Sequence, residues 1–233
     1  MNRKLLVGLL TACALLAPAA PASADGSGPP YTGGDAYGYS SRARLDGEAQ
    51  HDAVADRATG RLLTTAAAQV RTLPVSDGAV GAAGRAYAYA TSQIRQNFTV
   101  GAGTHRFTST FSDMQRSHEL VVEGQRAPWP APSADGYLYG RISMSVQYHP
   151  NCPDPYCAGS RWEEESIYLI DCWAGYCESG PDVRSLREWI DAPQPGLVSV
   201  IVTMSATADM EGRGRAEIML TGLVRSIEHV ALD

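Results

Sequence analysis

Residues 197–209 read LVSVIVTMSATAD. Side chains alternate along an extended chain, so Val198, Val200, Val202, Met204, Ala206 and Ala208 fall on one side. Ser199, Thr203, Ser205, Thr207 and Asp209 fall on the other, with Ile201 the one apolar exception among them. The stretch predicts a strand with one buried face. Glu211-Gly212-Arg213-Gly214 then marks a turn, and Ala216, Ile218 and Leu220 resume the alternation. This last strand is expected to run to about Val230, with a bulge at Gly222 where the apolar phase shifts. The two arms read as a long antiparallel hairpin.

The same period recurs upstream. Leu138, Ile142, Met144, Val146 and Tyr148 alternate with Arg141, Ser143, Ser145 and Gln147. Phe107 and Phe111 lie four apart on one strand face, and Tyr87 and Tyr89 alternate with Ala86, Ala88 and Ala90. Ala58-Thr59-Gly60 reads as a turn between strands at 50–57 and 61–70, and Ile167 and Leu169 lead a further strand into Cys172. The whole predicts an all-β chain, an antiparallel β-sandwich or jelly-roll-like fold of about eight or nine strands. Residues 182–192 read two ways. Val183, Leu186, Trp189 and Ile190 have helical spacing behind a capping Asp182, while the all-β surroundings favour a strand.

The N-terminus reads as an export signal over 1–24. Arg3 and Lys4 precede an apolar run from Leu5 to Leu16, and Ala22-Ser23-Ala24 follows as a small-x-small cleavage site. Leu10 to Cys13 also matches a lipobox, which makes lipid anchoring at Cys13 the alternative, although the apolar run continues beyond that cysteine. Removing Arg3 and Lys4 leaves 17 basic residues against 25 acidic ones, a net charge of −8. Lys4 is the only lysine, so lysine Schiff-base chemistry has no residue to use in the secreted chain. An acidic chain without a basic stripe also argues against nucleic-acid binding. No apolar run after the signal approaches the ~20 residues of a membrane-spanning helix. Residues 25–47 are rich in Gly, Pro, Ser and Asp and are expected to be a flexible leader carrying Tyr31, Tyr37 and Tyr39. A single β-sandwich domain is expected over 48–233.

Cys152, Cys157, Cys172 and Cys177 remain after export, an even set expected to form disulfides. Pairing 152 with 157 and 172 with 177 closes two small turn-like loops and is favoured among three connectivities. His149 extends the first pair to H-x2-C-x4-C, but the spacing is marginal for zinc, and no metal or cofactor is expected. Aromatics gather around these cysteines. Trp162, Trp173, Tyr176 and Tyr156, with Arg161 among them, are the candidate ligand-binding residues, because aromatic rings stack on sugar faces and polar neighbours bind their hydroxyls. The run Glu163-Glu164-Glu165 reads as a charged edge strand.

Nucleophile-elbow, HExxH and phosphate-loop motifs are absent, and the histidines at 51, 105, 118, 149 and 229 are scattered. The hairpin Asp56-Arg57-Ala58-Thr59-Gly60, the segment FTVGAGTHRF (98–107) and the terminal alternating arms around Gly212-Arg213-Gly214 together resemble small secreted β-sandwich proteins of high-GC Gram-positive bacteria. That resemblance implies the fold and transfers no catalytic residues. The expectation is a secreted, non-enzymatic module that binds cell-wall or extracellular polysaccharide. A secreted hydrolase with a non-local site and an envelope assembly subunit are the alternatives.

Overall fold

A computed structural model describes residues 31–40, 46–56, 58–71, 85–123, 135–151, 160–173 and 176–232. Among them are eleven strands: β1 (Tyr31–Ser40), β2 (Asp46–Asp56), β3 (Arg61–Arg71), β4 (Arg85–Val100), β5 (Gly103–Val122), β6 (Asp135–Pro150), β7 (Arg161–Trp173), β8 (Tyr176–Ser179), β9 (Ser185–Ala192), β10 (Gly196–Glu211) and β11 (Gly214–Leu232). They form two sheets, ordered β1-β4-β10-β6-β7-β8 and β2-β3-β11-β5-β9, with antiparallel pairing throughout. The fold is an antiparallel β-sandwich. The expected signal segment and Cys13, together with Cys152, Tyr156 and Cys157, lie outside the described residues. None of the described helices, of which there are none, supplies a membrane span.

The alternating residues of the opening stretch make the core. Val198, Val200, Val202, Met204, Ala206, Ala208 and Met210 are fully buried, and Ala216, Ile218 and Leu220 face them from the other sheet. Each large aliphatic side chain so buried contributes ~1.5–3 kcal/mol of transfer free energy. The layers meet closely at Gly140 of β6. A Cβ there would lie 2.8 Å from Ile218 Cδ1 and 2.9 Å from Leu220 Cδ1, so a side chain at this position would require those two to shift.

Three expectations are corrected. First, β10 and β11 are not a hairpin. They are the middle strands of opposite sheets, and Gly212-Arg213 carries the chain across the core, anchored by the Glu123 amide donating to the Arg213 carbonyl. Alternation reports that both arms bury one face, and it reads the same whether the arms lie side by side or face to face. Second, within the expected leader, residues 31–40 form β1, paired residue for residue with β4 from Tyr31↔Arg95 to Ser40↔Ala86, and β2 begins at Asp46. The composition argument weighed side-chain burial, whereas an exposed edge of β4 offers a ladder of backbone hydrogen bonds to any extended chain. Third, eleven strands replace the eight or nine expected, because β1 and the four-residue β8 carry no hydrophobic alternation.

Residues 185–192 form a strand. Leu186, Ile190 and Ala192 are buried at period two, and Trp189, which helical spacing would have put on their face, is 46% exposed. The expected bulge appears as a register shift at Gly222 between Thr221 and Leu223, with a second shift between Val224 and Ser226. Opposite Gly222, Asp113 takes a left-handed φ of 54° and is held by Arg225 Nη2 at 2.9 Å.

The turn between β2 and β3 depends on Gly60. Its φ is 73°, and a Cβ would fall 2.2 Å from the Val224 carbonyl oxygen. Gly101 has open space around it. Gly60→Ala is expected to destabilise the fold by ~2 kcal/mol or more, since both αL strain and a backbone clash are imposed. Gly101→Ala should melt within a degree or two of wild type. Denaturant titration of the two variants checks this, and equal stabilities would contradict it.

Candidate functional site

The outward face of the first sheet is where register decides chemistry. Residues directly opposite in an antiparallel ladder share a face and lie ~5 Å apart. Asp209 on β10 stands between Tyr87 of β4 and Tyr137 of β6, and Tyr137 stands opposite Trp173 of β7, which is opposite Tyr176 of β8. The next row reads Tyr89, Thr207, Tyr139, Asp171 and Glu178. On β1, Tyr39 and Tyr37 occupy the register positions opposite Tyr87 and Tyr89. The first row thus carries aromatic residues out to β8, interrupted by Asp209, while the second carries them only as far as β6 and ends in Asp171 and Glu178.

Two of the rings stack on each other along β6. Tyr137 and Tyr139 have centroids 6.1 Å apart and planes only 7° from parallel. Trp173 is 66% and Tyr176 71% exposed, while the β4 and β6 tyrosines are half-buried by their neighbours. Tyr168, one row further, donates its hydroxyl to Glu178 Oε1 at 3.1 Å. That bond, and the carboxylate charge behind it, raise the Tyr168 pKa and keep the phenol neutral. The Tyr137 phenol is also raised, by burial and then by the charge of Asp171.

The short edge strand β8 is held by the Cys172–Cys177 disulfide, a directly opposed cross-strand pair with Cα atoms 4.0 Å apart. The Gly180 amide donates to the Leu169 carbonyl, and Arg116 Nη1 donates to the same carbonyl and to that of Gly180. Cys172 points into the core, so its neighbour Trp173 points out, and Tyr176 is fixed beside it. This bridge is the second of the two expected pairs. His118, not His149, is the histidine that approaches these sulfurs, within 4.8 Å. As a disulfide the sulfurs offer no thiolate to a metal.

The other candidates are dispersed. Trp162 lies on the same outward face opposite Gln147, but eleven residues of β7 away from Trp173, a separation of roughly 35 Å along an extended strand. Arg161 occupies the opposite face, 3.9 Å from Asp191 of β9. Alternation alone separates Arg161 from Trp162. The residues that sequence reading passed over are Tyr87, Tyr89, Tyr137, Tyr139 and Tyr168. Their period-two spacing opposite buried alanines and Leu138 marked an outward face, while only the register aligns them.

Two other polar groupings lie outside the aromatic rows. Glu163, Glu164 and Glu165 lie where β8 does not cover β7, at an edge without a further strand among the described residues, as expected. Glu165 accepts a hydrogen bond from the Arg187 amide at 2.6 Å, and burial followed by the charges of Glu165 and Glu163 raises the Glu188 carboxyl. At the far end of the sandwich His105 and His229 meet at 3.0 Å, and His105 Nε2 lies 3.1 Å from the Gly101 carbonyl. His229 also stacks on Phe107, with centroids 4.9 Å apart.

No family model and no curated protein matches this sequence. Among solved structures, the chain is similar to TmCBM61 in complex with β-1,4-galactotriose, at 11% identity and a TM-score of 0.25 over 80% of this chain and 88% of that one.

Burial, then the charge of His105, lowers the His229 pKa from its ordinary 6.5. The unfolded chain therefore takes up a proton first, and stability that is complete above pH 6.5 is lost as pH falls from there through the depressed value. In His229→Gln this part of the melting-temperature profile should flatten. An unchanged slope in that window would contradict the assignment.

Proposed function

We propose that this chain is an exported, non-enzymatic polysaccharide-binding protein whose ligand surface is the outward face of β4, β10, β6, β7 and β8. One observation carries the reading: the ladder register lines Tyr87, Tyr137, Trp173 and Tyr176 into a single row, with Tyr89 and Tyr139 beside it. Flat rings on a rigid sheet present apolar faces that sugar rings can stack upon, and the hydroxyls and carboxylates between them can bind sugar hydroxyls. The sheet holds the rings in place before any ligand arrives, which reduces the ordering entropy that binding must overcome.

Hydrolysis stands second and draws on a different place. Glu188, whose carboxyl is raised by burial and then by the charges of Glu165 and Glu163, sits among the carboxylates that acid–base cleavage of a glycosidic bond would use. They lie on the open side between β7 and β9, away from the aromatic rows.

Retention on insoluble cell-wall and extracellular polysaccharides separates these readings. Trp173→Ala and Tyr176→Ala should each weaken binding by about tenfold or more, as loss of a stacked aromatic anchor does. Trp162→Ala should leave retention within about twofold of wild type, in line with a residue remote from the anchors. No reducing ends should be released during the incubation. Equal effects of Trp162→Ala and Trp173→Ala, or steady release of sugar, would overturn the assignment.

A further inference from the structure

We propose that the ligand of the aromatic face is an amine-bearing polysaccharide, a polymer of deacetylated amino sugars, lying across the strands with a protonated amine between Asp171 and Glu178. This rests on the face being a glycan platform and names the class of sugar it takes.

The charge balance of the face motivates it. In the row beyond Tyr87 and Tyr137, Arg85, Glu211 and Asp135 stand opposite one another. With Asp209, Asp171 and Glu178 in the aromatic rows, five carboxylates share this end of the sheet with Arg85 and with Arg141 one row on. Arg85 is engaged by Asp209, its Nε lying 3.0 Å from Oδ1. Arg141 donates through Nε to Ser205 Oγ at 3.3 Å. A polyanionic glycan would meet net repulsion here, and a polycationic one attraction.

Asp171 and Glu178 make the local case. They are directly opposed across β7 and β8, and both are exposed. Like charges in that position destabilise a ladder, so the pair costs the fold something that its packing does not return. The hydrogen bond that Glu178 accepts comes from the neutral Tyr168 hydroxyl, which does not offset the charge. Around the pair stand Tyr139, Trp173, Tyr176 and Tyr168. An ammonium group placed there gains two charge-assisted hydrogen bonds and a cation–π contact, while the sugar ring bearing it stacks on the neighbouring rings. A neutral sugar gains only the stacking, and a basic peptide only the charge.

The rows also fix a direction. They run perpendicular to the strands, and four inter-strand spacings from β4 to β8 give a track of about 19 Å. That length suits an oligomer of several sugar rings rather than a single one.

Calorimetric binding of the whole protein, at slightly acidic pH, to β-1,4-linked glucosamine hexamer, its N-acetylated counterpart, cellohexaose and hexalysine tests this. The amine oligomer should bind at least about tenfold more tightly than the other three, and the margin should shrink as salt rises from about 0.05 to about 0.5 M. Asp171→Asn and Glu178→Gln, melting no lower than wild type, should each remove most of that margin. Trp173→Ala should weaken every sugar. The inference is overturned if the acetylated or neutral hexamer matches the amine, if hexalysine does, or if both carboxylate variants keep the full preference. In those outcomes the glycan reading itself survives wherever Trp173→Ala still weakens sugar binding. If no sugar binds at all, both fall.

Discussion

The structure depends on one ladder. All sixteen residues of β10 pair antiparallel with β4 on one side and with β6 on the other, without a register shift. Because side chains alternate at period two, this ladder puts Val198 through Met210 into the core and their neighbours outward. A slip of one residue would expose the methionines and valines and turn Asp209 and Thr207 inward. The same registration aligns Tyr87 and Tyr89 of β4 with Tyr137 and Tyr139 of β6 across the strand between them. Core and candidate binding surface are two faces of a single set of backbone hydrogen bonds.

The far rim of that surface has a separate support. Beyond β6 the sheet narrows to β7 and then to four residues of β8, too short to hold its place by pairing alone. The Cys172–Cys177 bridge and the Arg116 guanidinium, which reaches the Leu169 and Gly180 carbonyls, fasten it. Trp173 and Tyr176 are consequently exposed without being loose. Exposure of large aromatics on a fixed strand has no packing benefit, which is why it reads as a surface made for a partner.

Much of the fold was legible in the sequence because burial leaves a periodic trace. The stretch at 197–209, the turn at Ala58-Thr59-Gly60, the pairs Phe107 and Phe111, and the phase shift at Gly222 all appear as read. What left no trace was the relation between strands. The arms around Gly212 alternate identically as a hairpin or as a crossing between layers, and β1 forms through backbone pairing that composition does not record. The site was legible in part for the same reason. Trp173 and Tyr176 adjoin in sequence and in space, Trp162 and Arg161 were grouped by proximity that a strand stretches and splits between faces, and the tyrosines of β4 and β6 come from distant segments that only register unites.

The central claim is that ligand lies across the aromatic rows of the first sheet. Backbone amide shifts during titration with β-1,4-linked glucosamine hexamer test it most directly. The account predicts that perturbations concentrate at Tyr87, Tyr89, Tyr137, Tyr139, Asp171, Trp173 and Tyr176, with Trp162 and Trp189 unmoved. Saturable shifts centred on Trp162, or on the glutamates between β7 and β9, would contradict it.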